Sequence, residues 1–171
     1  MSEPRWIAQR DEYACGPIAV CNVLKWAEVD LGSSWARDGD FLKELCSATY
    51  DKGTHENDLE LALRTIAGKE LTIQRRKKWK LQGIADHVES RGCVIFDFTP
   101  PCPHNMALPP RERDAHYAVC VDVMGEGANT WFKMVNITKG EAITWISRKY
   151  FRWLFCHRRW DDRMWLVRLR D

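Results

Sequence analysis

The feature that most narrows the fold is a change of hydrophobic period near residue 92. Before it, apolar residues recur every three to four positions, as on the buried face of a helix; after it they come in short runs of strand length. Gly16-Pro17 opens the first helical pattern, because a proline at a helix start gives up an N–H that would have no partner there. Val20, Val23, Leu24 and Ala27 then fall on one face, and Phe41, Leu42, Leu45 and Cys46 mark a second helix. Thr54 is placed to cap a third, with Leu59, Ala62, Leu63 and Ile66 as its stripe and Gly68 at its end. Leu81, Ile84, Ala85 and Val88 form a fourth, stopped at Gly92. Residues 93–98, 116–124 and 130–137 read as strands, the last two joined by a Gly- and Asn-bearing turn at 125–129. A short helix near 147–155 and a strand at 164–169 complete the pattern. Helices first and antiparallel strands later predict an α+β fold, with N-terminal helices packed on a C-terminal antiparallel sheet and residues 1–171 in one domain.

One segment breaks the pattern. Residues 100–114 hold five of the seven prolines and are expected to form an inserted loop that leads into His116. A chain of 171 residues with 45% apolar and 29% charged residues buries enough surface to fold without covalent staples. The seven cysteines are an odd number, and the N-terminus carries no apolar export signal, so reduced thiols and a cytoplasmic location are expected. No apolar run approaches the roughly 20 residues of a membrane span.

A net charge of +2 is too small to point to a nucleic-acid partner, and the basic run at 75–80 reads as a solvated face. Cys102 and His104 supply two metal ligands where structural zinc needs four, so neither metal nor cofactor is expected.

Chemistry enters at Cys15. It stands directly before a helix, where unpaired N–H groups and partial positive charge favour a thiolate. His116 starts a strand, and the 125–129 turn brings Asn136 to within about two residues of it on the neighbouring strand. An asparagine there can hold the imidazole and its tautomer for a proton-accepting role. Gln9, six residues before Cys15, carries a side-chain amide able to donate to a developing oxyanion. Each residue also has a plainer reading, as core cysteine, sheet-end histidine or turn asparagine.

The run Gln9-Arg-Asp-Glu-Tyr-Ala-Cys15-Gly16-Pro17, followed by Asn22-Val23-Leu24, resembles the start of the bacteriocin-processing (double-glycine leader) peptidases, which are papain-like cysteine peptidases. Gly53-Thr54, the 92–98 strand, His116-Tyr117-Ala118-Val119 and Val135-Asn136 resemble further elements of that family, in the same order. The resemblance implies a papain-like fold with Cys15 as nucleophile, His116 as general base, Asn136 as orienting residue and Gln9 as oxyanion donor. Exporter-linked members usually carry aspartate where Asn136 stands, and the 100–114 insert is foreign to the family core.

The expected function is a cysteine hydrolase, a peptidase or isopeptidase acting on a peptide or protein substrate. Two alternatives stay open: an amidase, deamidase or acyl transferase using the same Cys–His pair, and a non-catalytic papain-like domain that binds peptide or protein in the cleft. The oligomeric state is not legible.

Overall fold

The computed structural model describes residues 6–9, 13–29, 39–50, 53–77, 80–98, 116–138, 140–155 and 163–170. The proline-rich 100–114 segment, with Cys102 and His104, lies outside them. The element order is α1 (Cys15–Trp26), α2 (Gly39–Leu45), α3 (Glu56–Ala67), β1 (Leu71–Lys77), α4 (Leu81–Glu89), β2 (Gly92–Phe98), β3 (His116–Met124), a 3-10 turn (Gly127–Asn129), β4 (Trp131–Thr138), β5 (Glu141–Ser147), α5 (Arg148–Phe155) and β6 (Arg163–Leu169). The six strands form one sheet in the order β1-β6-β2-β3-β4-β5, and each neighbouring pair is antiparallel.

The α+β expectation holds, with two corrections to the layering. The sheet takes a strand from the first half of the chain, β1, whose charged end reads in sequence as a basic run. Helices also cover both of its faces. On one face α1, α2 and α3 enclose Val20, Val23, Leu24, Leu59 and Leu63 together with Ile95, Tyr117, Val119 and Trp165. On the other, Ile84 and Val88 of α4 and Phe151 of α5 pack on Val94, Phe96, Phe98, Phe132 and Met134. β2 lies between the two cores and is apolar on both sides, which is why it reads as a continuous run rather than an alternating one. Each large aliphatic or aromatic side chain buried there contributes about 1.5–3 kcal/mol relative to exposure.

Two helix ends differ from expectation. His55, not Thr54, caps α3, its Nδ1 accepting the N–H of Asn57 at 3.3 Å. The Thr54 side chain lies against α1 instead: a Cβ added to Gly16 would sit 2.4 Å from Thr54 Oγ1. α4 ends at Glu89 with Ser90 as its cap, and Arg91, at φ 59°, makes the turn before Gly92. Gly92 opens β2, where the ring of His87 fills the space a side chain would need. No helix among the described residues is long and apolar enough to cross a membrane.

Candidate active site

α1 begins at Cys15 with an unusually bare N-terminus. Its N-cap, Ala14, offers no side-chain hydrogen bond, and the first turn holds no acidic residue. The first N–H groups are therefore left to whatever lies beside Cys15. Cys15 itself is 4% exposed. Burial pushes its thiol up. The main-chain N–H groups of Tyr117, Gly16 and Cys15 pull the other way, and the carboxylate of Asp97 adds to the upward push. A helix start was expected to favour the thiolate; here burial outweighs it, and the resting group is a thiol.

The Tyr117 contact ties α1 to the start of β3, one residue beyond His116. The His116 ring lies edge-on to Phe98, centroids 5.3 Å apart. Its Nε2 is 2.6 Å from the main-chain oxygen of Asn136. A carbonyl only accepts, so Nε2 carries the hydrogen, and in the neutral ring Nδ1 keeps the lone pair. Burial holds His116 below the usual imidazole range, with the Asn136 carbonyl opposing. Among the described residues no hydrogen bond joins the His116 ring to the Cys15 thiol.

Asn136 serves the ring through its main chain and not its amide. The reason lies in β4, where Asn136 takes φ 59°, a left-handed conformation that asparagine tolerates better than most residues. The β4–β5 register shifts between Val135 and Thr138 at the same point, as a bulge requires. The buried amide is engaged elsewhere. Its Oδ1 accepts the main-chain N–H of Gln9 at 3.0 Å, and its Nδ2 donates to the carbonyl of Tyr117 at 3.2 Å. Those partners, one a donor and one an acceptor, fix which end of the amide is which.

Gln9 is buried and held from three directions. Asn136 takes its N–H, its carbonyl accepts the N–H of Gly140 at 3.1 Å, and two residues upstream Asn22 grips the same segment. Asn22 Oδ1 accepts the N–H of Ile7 and its Nδ2 donates to the carbonyl of Ile7, both at 2.9 Å. Asn22 is fully buried. Cys15, His116, Asn136 and Gln9 thus form one connected corner, joined through the main chain of Tyr117 and Asn136.

Asn22, Tyr117 and Asp97 were not singled out for roles at the site. Two of them left a signal, a polar residue inside an apolar run: Asn22 within 18–24 and Asp97 within 93–98. Tyr117 donates its hydroxyl to the carbonyl of Thr54 at 3.2 Å, which ties β3 to the segment that faces Gly16. Burial pushes Asp97 up to about 6, against the opposing charge of Arg75.

No protein-family model matches the chain, and no curated protein matches it significantly. Among solved structures, it is similar to the crystal structure of a candidate C39-like peptidase from Bacillus anthracis. The two share 9% identity at a TM-score of 0.61, over 96% of this chain and 98% of that one. At that identity the likeness is one of fold.

Proposed function

We propose that this chain is a cysteine peptidase-like hydrolase of papain-like fold, with Cys15 as nucleophile and His116 as general base. The observation that carries the reading is the Asn136 carbonyl on His116 Nε2. It leaves a lone pair on Nδ1 of the residue next to the one whose N–H touches the Cys15 sulfur. With burial raising the thiol and lowering the imidazole, the resting pair is neutral. The proton then moves as bond formation begins, since catalytic hydrogen bonds that are open in a free site close in the substrate complex.

Sulfur attacks the carbonyl carbon while Nδ1 takes the thiol proton. The oxygen becomes an oxyanion facing the Cys15 N–H and the Gln9 amide. The C–N bond breaks as His116 returns the proton to the leaving amine. Water then attacks the thioester through the same base, releasing the acid and restoring the thiol. The substrate class proposed is a short, extended peptide.

Turnover of a pool of short fluorogenic peptides tests this. The wild type should release product, Cys15→Ala none, His116→Ala about 10²–10⁴-fold less and Gln9→Ala about 10²–10³-fold less. Release of ammonia from small amides, without peptide cleavage, would move the assignment to an amidase. No turnover, with Cys15 no more reactive to iodoacetamide than the other cysteines, would leave a peptide-binding domain.

A further inference from the structure

The amide of Asn136 is spent on the main chain of Gln9 and of Tyr117, and not on the His116 ring. Resting on the reading of Cys15 and His116 as a catalytic pair, we propose that two buried asparagines, Asn136 and Asn22, are positioning residues for the oxyanion donor Gln9, and that the Asn136 side chain does not orient the histidine.

The geometry divides the labour of Asn136 between its main chain and its side chain. The carbonyl holds Nε2 of His116, while Oδ1 holds the N–H of Gln9. Asn22 acts on Ile7, two residues earlier, presenting one acceptor and one donor as a neighbouring strand would. The segment 6–9 belongs to no strand of the sheet, so these two amides, together with the Gly140 N–H on the Gln9 carbonyl, fix it in place of a ladder. Both are almost fully shielded from water, which makes the bonds strong and their loss costly. An oxyanion donor works only where it is aimed beforehand, and an error of about 1 Å can cost on the order of 10²-fold in rate. Fastening the main chain of Gln9 aims its side chain.

Two reagents that need no knowledge of the substrate separate this role from one exerted through His116. Iodoacetamide alkylates the sulfur without forming an oxyanion. p-Nitrophenyl acetate acylates it through a tetrahedral oxyanion, transferring the acetyl group to sulfur and releasing p-nitrophenolate. Asn136→Gly removes the amide but keeps the carbonyl, and glycine accepts the positive φ.

In this variant alkylation of Cys15 should keep the pH profile set by His116 and lose at most about threefold in rate through the freed Tyr117 carbonyl, while acylation falls about 10- to 100-fold. In a Gln9→Ala background the same change should slow acylation no further, because the donor it aims is gone. Asn22→Ala should behave alike, and carries the same cycle should Asn136→Gly fail to fold. An alkylation profile altered as in His116→Ala, or additive losses in the double variants, would overturn the proposal. A wild type in which Cys15 reacts with neither reagent would instead overturn the catalytic reading beneath it.

Discussion

Asp97 sits in an apolar run and faces Tyr117 across the β2–β3 pair. Its charge opposes formation of the Cys15 thiolate. Burial raises its own ionisation to about 6, so this opposition exists above that pH and vanishes below it. Asp97→Asn should therefore speed alkylation of Cys15 by a few-fold at pH 7 to 8 and leave it unchanged at pH 5. Rates measured by intact mass across that range decide it, and an equal ratio at all pH values would show that Asp97 does not reach the sulfur. The same scale shows what the sequence could reveal about the candidate site. Cys15, His116, Asn136 and Gln9 can be nominated as a candidate set from sequence because their order along the chain resembles that of a known peptidase family. The split use of Asn136 cannot, since it depends on a backbone angle of 59° that no residue pattern writes down.

The elements that proved readable are those whose burial follows a clean period. α3 buries Leu59, Ala62 and Leu63, and β2 buries nearly every residue. The strands that the sequence pattern leaves unmarked, β1 and β5, lie at the two edges of the sheet. β1 buries only Leu71 and Ile73, and its Arg75 pairs with Glu56 at 2.5 Å and stands over Trp165. A charged residue that is part of the architecture looks, in sequence, like one in solvent. The start of α1 was legible as Gly-Pro, but the need for glycine comes from Thr54, 38 positions away. Gly16→Ala should cost about 1–3 kcal/mol in urea denaturation, the usual penalty of overpacking. Thr54→Ala should recover only part of it, because the Thr54 Cβ itself would lie 2.5 Å from the new methyl group. A loss below about 0.5 kcal/mol would mean that the α1–Thr54 contact yields easily.

Across the whole molecule, burial of titratable groups limits stability on both sides of neutrality. His87 and His116 are both held below the usual imidazole range by burial. Their contribution is present above about pH 6.5 and is lost as pH falls, since the unfolded chain takes up protons first. Asp97, raised by burial, works in the other direction between about 6 and its unfolded value. The alkaline side has no such offset among the thiols. Cys15, Cys21, Cys46, Cys93 and Cys120 are all buried, and burial raises every one. Each folded thiol stays protonated while its unfolded counterpart ionises, so the stability it supplies is complete below pH 9 and is lost as pH climbs. Cys21, pushed up to about 11, would account for up to about 3 kcal/mol of that loss. Thermal melts from pH 8 to 11 should thus fall steeply above pH 9. Cys21→Ala should melt lower than wild type at pH 8, through the cavity it leaves, yet lose less between pH 9 and 11. Parallel curves for the two proteins would show that Cys21 ionises in the folded state as readily as in the unfolded chain, and that its burial is no barrier to charge.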